Sequence, residues 1–242
     1  MTFQEWMYKG FLGYYLEQTG TKSGTGMFFL VTLGFLAVSV IPYFLGSFNF
    51  AIIISKCFFH EDIRSYGSGN AGMTNMLRTY GKGPAAATLA TDALKAVVSV
   101  LLGRLIWGSI GAYLAGVCCV LGHVFPVFYK FKGGKGVVVT AVTVLMTNWR
   151  VGLILLVFFV VLVAATKYIS LGSVMCMLVY PILLSRMNHG DPQLVILFAF
   201  ALTVIVVLKH SSNIKRLIAG TENKISFTRK DKKPSDGNDS RK

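Results

Sequence analysis

Charged residues are scarce in this chain, and acidic residues are the scarcest of them. Asp, Glu, Lys and Arg make up 14% of the 242 residues, with 10 acidic side chains against 24 basic ones. An average soluble domain carries about 25% charged residues, so the composition argues against an ordinary soluble protein. The basic residues gather in loops and in the tail beside apolar runs, where anionic lipid headgroups account for them. We therefore expect no nucleic-acid partner.

Cysteines are few and lack the spacing of a metal site. All four lie in apolar segments, and no two form a C-x-x-C pair: Cys57, Cys118, Cys119 and Cys176. Neither a zinc site nor a disulfide framework is indicated, and we expect no metal and no cofactor. A signal peptide is not indicated either, because residues 1–26 carry isolated charges and offer no short cleavable apolar core.

Three familiar catalytic patterns are missing. Gly134-Lys135 is followed by Gly136 rather than by Ser or Thr, and Tyr129 stands where a Walker A loop needs its first glycine. None of the four histidines has an Asp five positions later, which excludes a His-x-x-x-x-Asp dyad. Gly-x-Ser-x-Gly is absent as well.

Long apolar runs are what the chain has in abundance, since 54% of its residues are hydrophobic. A bilayer-crossing helix needs about 20 such residues. The runs predict an all-α, polytopic integral membrane helix bundle with seven membrane helices, or five if the shortest runs only dip into the bilayer. They lie at about 27–57, 84–103, 105–128, 137–147, 151–166, 171–187 and 192–208. Pro42 and Gly46 are expected to kink the first.

The composition changes at both ends of the apolar region. Residues 3–18 mix aromatics with isolated charges, which suits a helix lying in the membrane interface. We therefore divide the chain into an N-terminal interfacial extension (1–26), a transmembrane domain (27–225) and a disordered, basic cytoplasmic tail (226–242).

Basic residues indicate the orientation of the bundle. If the segments alternate, one side receives eighteen of them: Lys56, Arg64, Arg78, Lys82, Lys130, Lys132, Lys135, Lys167 and ten from Lys209 onward. The other side receives five: Lys9, Lys22, Arg104, Arg150 and Arg186. The positive-inside rule makes the first side cytoplasmic. All the polar loops whose side chains could bind a substrate or react with it then face the cytoplasm, so the active site is expected there.

The first of these loops runs from Arg64 to Arg78 and alternates glycines with hydroxyl and amide side chains. Its possible donors to phosphate oxygens are Ser68, Asn70, Thr74 and Asn75. Arg78 can grip two such oxygens at once. Taken alone, the loop is equally well interpreted as a turn with a capping residue before a short helix.

The second loop, Phe131-Lys-Gly-Gly-Lys-Gly136, places three glycines and two cations between apolar segments. Glycine reaches the positive φ angles with which backbone N–H groups can surround an anion. Lys132 and Lys135 add charge. The loop therefore predicts a phosphate cradle at the membrane surface.

Two further groups lie within or at the end of apolar segments. His123 precedes Phe125-Pro126, and a helix-end histidine bonded to a backbone carbonyl is its preferred interpretation over a general base. Asp92 and Lys95 lie three residues apart and share a helix face. A structural ion pair inside the bundle is the first interpretation, and support of an active site is the second.

Two later clusters also have competing explanations. Lys167 to Ser173 offers a cation and two hydroxyls, which a snorkelling lysine and helix capping explain as well as function does. The segment from Lys209 to Arg216 contains His210 and Asn213, and would place Lys209, Asn213 and Arg216 near one helix face. A plain membrane anchor is the alternative there.

The loops together resemble, in order, the three signature regions of the bacterial acyl-phosphate:glycerol-3-phosphate acyltransferase family. The matching stretches are Gly67-Ser-Gly-Asn-Ala-Gly-Met-Thr-Asn75 with Arg78, Gly122-His-Val-Phe-Pro126 through Phe131-Lys-Gly-Gly-Lys-Gly-Val137, and His210 to Leu217 followed by Gly220-Thr-Glu222. The resemblance covers about residues 41–225.

This resemblance implies transfer of a fatty acyl group from acyl phosphate to the sn-1 hydroxyl of glycerol 3-phosphate. The products would be lysophosphatidic acid and phosphate, in the first step of phospholipid synthesis, without coenzyme A or acyl carrier protein as donor. It implies a multi-pass protein of the bacterial plasma membrane in contact with lipids, with residues 27–225 as the acyltransferase domain. A monomer is expected.

The resemblance and the donors named above give the expected site. The catalytic residues would be Ser68, Arg78, Lys135, His210 and Asn213. The substrate-binding residues would be Asn70, Thr74, Asn75, His123, Lys132, Gly133, Gly134 and Ser173. The proton of the attacking hydroxyl would pass to the phosphate of the acyl phosphate, with His210 as the alternative base.

Two other classes of protein fit the same composition. A phosphate-ester transporter would also place cationic loops beside kinked helices, but the cations here gather at one surface rather than at the midplane, and no inverted repeat is evident. A non-catalytic binder of anionic lipids is the third possibility. It would bind lipid through Lys135 and form no product.

Overall fold

The computed structural model describes residues 3–19, 24–188 and 191–225, and helices make up its regular structure in these ranges. This confirms the predicted all-α fold. Ten α-helices are present in the described part: α1 (Phe3–Thr19), α2 (Thr25–Ser47), α3 (Phe50–Phe59), α4 (Met73–Tyr80), α5 (Lys82–Val124), α6 (Val137–Thr147), α7 (Trp149–Thr166), α8 (Ile169–Met187), α9 (Val195–Lys209) and α10 (Ser211–Ile218). The predicted tail, 226–242, lies outside the described residues.

Four helical stretches are long and apolar enough to cross a membrane, or five if the bent pair α9 and α10 is one span. All seven predicted apolar runs are helical, but α6 has only 11 residues, fewer than the roughly 20 that a crossing needs. Large apolar side chains remain exposed along the long helices, among them Phe28, Val157 and Ile182. On a bundle embedded in lipid these side chains face acyl chains rather than water.

The first long stretch, for which the sequence predicts a kink at Pro42 and Gly46, is interrupted after these two residues. Helix α2 continues through Pro42 and Gly46, and the interruption falls at Phe48 and Asn49. Asn49 begins α3, because its side-chain oxygen accepts the Ile52 N–H at 3.2 Å. Proline is tolerated inside membrane helices, and Pro42 does not end α2.

Helix α5 contains two of the predicted spans, folded back on each other. Its backbone leaves the helical conformation at Trp107 and Gly108, where Gly108 has φ +57°. The two arms then run side by side in opposite directions, since a Cβ on Gly103 would lie 2.1 Å from the carbonyl oxygen of Gly111. Only residues without a side chain allow backbones to approach so closely, as in other membrane helix pairs.

The N-terminal extension packs against the turn of α5. Helix α1 is broken at Gly10, which has φ +68°, and a Cβ there would lie 2.4 Å from the Gly108 nitrogen. The predicted helix over residues 3–18 is therefore present. It covers the end of the α5 hairpin that lies away from Val124.

A buried apolar core joins the second arm of α5 to the later helices. Its fully buried members include Tyr113, Val120, Tyr180, Leu184 and Leu202. This core brings the end of α5, the start of α6, the start of α8 and the bend between α9 and α10 to one end of the bundle. The three polar loops identified in the sequence meet there.

Candidate active site

Lys135 and Asn213 connect the second loop to the last one. The Lys135 ammonium donates a short hydrogen bond to the side-chain oxygen of Asn213, although 78 positions separate the two residues. The amide nitrogen of Asn213 donates to Glu222 Oε1 at 2.7 Å. With an acceptor required on one side and a donor on the other, the orientation of the Asn213 amide is fixed.

Glu222 is the carboxylate around which the cations are arranged. It accepts hydrogen bonds from Asn213, from Ser170 Oγ at 2.8 Å and from Arg216 Nε at 2.7 Å. Burial pushes the pKa of Glu222 upward, but these three hydrogen bonds together hold it below its ordinary value. Glu222 therefore stays ionised. We call the hydrogen-bonded series Lys135, Asn213, Glu222 and Arg216 the Glu222 network.

Arg78, Lys135 and Arg216 lie near this carboxylate, and Lys209, whose ammonium is 4.6 Å from the centroid of the Phe125 ring, lies near Lys135. We call these four basic residues the cation cluster. Burial, and next the charge of Arg216, lower the pKa of Lys135 to about 8, with Arg78 and Lys209 acting in the same direction. Burial also lowers the pKa of the half-buried Arg78, while the nearby Glu222 acts against that effect. The cluster carries more positive charge than Glu222 neutralises, so it can attract a second anion.

His210 lies at the bend of 58° between α9 and α10. Its Nδ1 is 2.7 Å from the carbonyl oxygen of Val206. A carbonyl oxygen can only accept, so Nδ1 carries the proton and Nε2 is left with a free lone pair. Because His210 is buried, this arrangement fixes the tautomer and the direction of the ring.

In the first loop, Asn75 holds the chain rather than facing outward. Its side-chain oxygen accepts the Ser68 N–H at 2.9 Å, and its nitrogen donates to the carbonyls of Tyr66 at 2.9 Å and Ile63 at 3.2 Å. Both ends of the amide are occupied, so the expected contact between Asn75 and phosphate is not available in this arrangement. Ser68 is exposed beside it. Asn70, which precedes α4, and Thr74, in the first turn of α4, are partly exposed.

The glycines of the second loop allow close packing. Gly133 N–H donates to Val124 O at 3.3 Å, and Gly134 N–H donates to His123 O at 3.1 Å. A Cβ on Gly134 would lie 2.2 Å from His123 Nε2. The cradle predicted from these two N–H groups is therefore not formed, because carbonyls of α5 accept both of them. Lys132 is exposed on the same loop.

The start of α6 supplies backbone donors in place of that cradle. Gly136 is the residue before the first turn of α6 and has φ +78°. Because glycine has no side chain, it cannot accept a hydrogen bond from the backbone N–H groups of that turn. The unpaired N–H groups and the helix dipole at such a terminus favour an anion. Lys135 immediately precedes this terminus, so a cation and a helix N-terminus lie together.

Arg64 joins the first loop to the second. Its guanidinium forms two hydrogen bonds with Asp62, at 2.9 and 2.7 Å, and donates to the carbonyls of Lys132 at 2.9 Å and Tyr129 at 3.3 Å. The hydrogen bond from Arg64 outweighs burial and holds the pKa of Asp62 below its ordinary value. This contact fixes the distance between two loops that are remote in sequence.

Two expected substrate ligands are buried and engaged elsewhere. His123 is 3% exposed, and its Nδ1 lies 3.0 Å from Lys95 Nζ. Ser173 is buried and donates to Ile169 O at 2.9 Å. Ser170, one turn earlier, is the hydroxyl that contacts Glu222.

The sequence interpretation missed three contributors to the site: Ser170, Arg216 and Glu222. The available signal was Gly220-Thr-Glu222, which matches the third signature region, and the helical spacing of Asn213 and Arg216. Among the residues described, His, Cys, Asp and Glu do not gather in groups of three or more that could hold a metal ion.

Fold and site together define a class of protein: a helical membrane bundle with a cluster of basic residues at one end. The family model "Glycerol-3-phosphate acyltransferase" matches residues 36–220. The chain belongs to this family, as its signature regions predicted, and is a multi-pass bacterial membrane acyltransferase.

Relatives and solved structures agree with this assignment. The glycerol-3-phosphate acyltransferase of Thermoanaerobacter sp. (strain X514) is 43% identical over 77% of this chain and 93% of its own length. That of Finegoldia magna is 40% identical over 81% and 96%. A crystal structure of PlsY (YgiH), an integral membrane glycerol 3-phosphate acyltransferase in its glycerol 3-phosphate form, superposes with a TM-score of 0.74 at 30% identity. It covers 79% of this chain and 96% of that one. The lysophosphatidic acid form of PlsY gives 0.72 and 29%, covering 80% and 96%.

The pKa of Lys135 generates a test of its role. Below about pH 8 the ammonium of the free protein is protonated, and above that pH it loses its proton. If the charge binds substrate, log kcat/KM should be level between about pH 7 and pH 8 and fall with a slope of about −1 above pH 8. The level region begins above the second pKa of phosphate, about 6, because kcat/KM reports ionisations of the free enzyme and of the free substrate. Lys135→Arg should be slower but should lose this alkaline decline, since arginine stays charged.

The control for this profile is Lys130→Gln, which removes an exposed cation from the same loop and should keep the wild-type decline. A Lys135→Arg profile that falls at the same pH as the wild type would assign the ionisation to another group.

Proposed function

We propose that this protein transfers a fatty acyl group from acyl phosphate to the sn-1 hydroxyl of glycerol 3-phosphate. The hydroxyl oxygen forms a bond to the acyl carbonyl carbon, and the bond from that carbon to the phosphate oxygen breaks. The phosphate leaves with the electron pair, and the hydroxyl proton goes to a base. The products are 1-acyl-glycerol 3-phosphate and inorganic phosphate. Relatives that carry the name glycerol-3-phosphate acyltransferase and PlsY structures in glycerol 3-phosphate and lysophosphatidic acid forms support the acceptor and the product.

The observation that carries this proposal is the imbalance of charge at the cation cluster. Both substrates are phosphate anions, and among the described residues Glu222 is the carboxylate that accompanies the four cations of the cluster. Charge-assisted hydrogen bonds from lysine and arginine are the strong ones for phosphate. The cluster is therefore suited to holding two phosphates close together at one end of the bundle.

Within this site we assign Arg78 and Lys135 to the phosphates, together with the N-terminus of α6. Ser68, Asn70, Thr74 and Lys132 are exposed or partly exposed around the same end and complete the binding surface. Asn213 orients Lys135 as part of the Glu222 network. Asn75, His123, Gly133, Gly134 and Ser173 then shape the site from behind, through the contacts described above.

Acyl transfer places negative charge on the carbonyl oxygen in the transition state. Fixed donors and cations stabilise that charge without having to reorganise during the reaction. The Glu222 network fixes Lys135, and the hydrogen bond from the Ser68 N–H to Asn75 fixes the backbone of Ser68. Both groups are therefore held in place before substrate arrives. Much of the rate acceleration would come from this preorganisation.

We propose further that residues 27–225 form the catalytic domain and act as a monomer. The extension 1–26 precedes the family match, and its described helix α1 packs at the opposite end of the α5 hairpin, away from the proposed site.

The direct test of the proposed function is product formation by the purified protein in detergent. Glycerol 3-phosphate is supplied with either palmitoyl phosphate or palmitoyl-coenzyme A, and lysophosphatidic acid is measured. We expect product from palmitoyl phosphate only. Product from coenzyme A thioester at a comparable rate would contradict the proposed donor, and labelled glycerol phosphate entering sealed liposomes without any donor would indicate a transporter.

The proton acceptor is tested separately with His210→Gln. A general base contributes roughly 100- to 10,000-fold to the rate. If the phosphate of the acyl donor takes the proton, kcat should fall by less than about 100-fold, because His210 then only shapes the site. A nearly complete loss of kcat, with glycerol 3-phosphate binding retained in the same preparation, would make His210 the base through its free Nε2.

A further inference from the structure

Lys95, in the first arm of α5, is a buried cation with no part in the proposed chemistry. It is 5% exposed, and its ammonium has four polar neighbours: Asp92 Oδ1 at 2.8 Å, Phe48 O at 2.9 Å, His123 Nδ1 at 3.0 Å and Gly46 O at 3.1 Å. An ammonium has three N–H donors. All three are therefore engaged, and Lys95 has no donor left for a substrate.

Such a group is expensive to keep inside a membrane protein. Asp92 is 2% exposed and His123 is 3% exposed, so the whole cluster is removed from solvent. Replacing a buried ion pair with apolar residues is often neutral or stabilising, so stability alone is a weak reason for having one. Ionisable residues at membrane depth are by default candidates for a functional role.

On one side, Lys95 holds the break between α2 and α3. Gly46 and Phe48 lie at the C-terminal end of α2, where carbonyl groups have no partner within the helix. A cation at this end satisfies them and interacts favourably with the helix dipole. Asn49, in the same break, donates to the carbonyl of Ala71 at 3.3 Å. The break therefore supports the first loop.

On the other side, Lys95 holds His123, which supports the second loop. The His123 carbonyl accepts the Gly134 N–H at 3.1 Å. The ring lies against the same residue, because a Cβ on Gly134 would be 2.2 Å from Nε2 and 2.5 Å from Ala71 O. Gly134 is thus enclosed between His123 and the first loop. Lys135 is the next residue.

We propose that Lys95, with Asp92 and His123, is a positioning residue that sets the place of Lys135 and of the first loop. It acts through the α2–α3 break on Ala71 and through His123 on Gly134. The proposal rests on the proposed function, because Lys135 matters only if it binds substrate. The structural part of the proposal, that Lys95 immobilises the second loop, does not depend on whether Lys135 binds substrate.

The test is hydrogen–deuterium exchange of residues 131–136 in the full-length protein, without substrate, in the paired variant Asp92→Asn/Lys95→Met. Removing both charges avoids leaving one unpaired in the core. Exchange in this segment should rise at least about 10-fold while α8 and α9 keep wild-type exchange, and kcat/KM should fall about 10- to 100-fold, as expected for a misplaced catalytic loop.

The matched control is Arg104→Met, which removes another cation from α5, one that donates to Met146 O at 3.2 Å near the turn of the hairpin. It should change neither the exchange of residues 131–136 nor kcat/KM. If the paired variant does not fold, His123→Gln, which interrupts the contact between Lys95 and the loop, is measured in the same way.

Wild-type exchange at residues 131–136 in the variants would overturn the proposal. A uniform rise that includes α8 and α9 would also overturn it, because Lys95 would then serve only global stability. Since exchange is read without substrate, a wild-type protein that forms no product would defeat the proposed function and leave this test intact.

Discussion

The carboxylate of Glu222 accepts hydrogen bonds from side chains of two separate helices, α8 and α10, and the arrangement of the cations depends on it. Ser170, Asn213 and Arg216 all donate to it, and Asn213 passes the orientation on to Lys135. Without this negative charge, the cations at this end of the bundle would repel one another. With it, enough positive charge remains to attract phosphate, and the donors are held in place beforehand. Glu222, one of the 10 acidic residues of the chain, thus lies among the basic side chains of the cation cluster.

Glycine contributes to this site through packing. Gly103 and Gly111 let the arms of α5 meet, and Gly133 and Gly134 let the second loop lie on His123. Between membrane helices there is little hydrophobic driving force, so close backbone contact is an important source of association. The same contacts that stabilise the bundle therefore bring the end of α5 beneath the loop that carries Lys135.

Much of the architecture could be predicted from the sequence. Apolar runs gave the helices, and the positions of Arg78, Lys135 and Asn213 in three polar loops gave a common site. Hydrogen-bond partners could not be predicted, because they depend on which groups the fold brings near. Asn75 and His123 have the chemistry of ligands, yet both are occupied within the protein. Glu222 belongs to the matching third signature region, but the sequence does not show that Ser170, Asn213 and Arg216 all donate to its carboxylate. The break at Phe48 was not predicted, because the helix-perturbing residues of this run, Pro42 and Gly46, both lie within α2 before the break.

The central claim is that the cation cluster binds the phosphate of glycerol 3-phosphate. Its most direct test is equilibrium binding of labelled glycerol 3-phosphate, without acyl donor, to the wild type and to Lys135→Met and Arg78→Met. Each loss of a charge-assisted hydrogen bond should weaken binding by roughly 10- to 100-fold, while Lys130→Met, which removes an exposed cation from the same loop, should bind as the wild type does. Unchanged affinity in both cluster variants, with folding intact, would contradict the account.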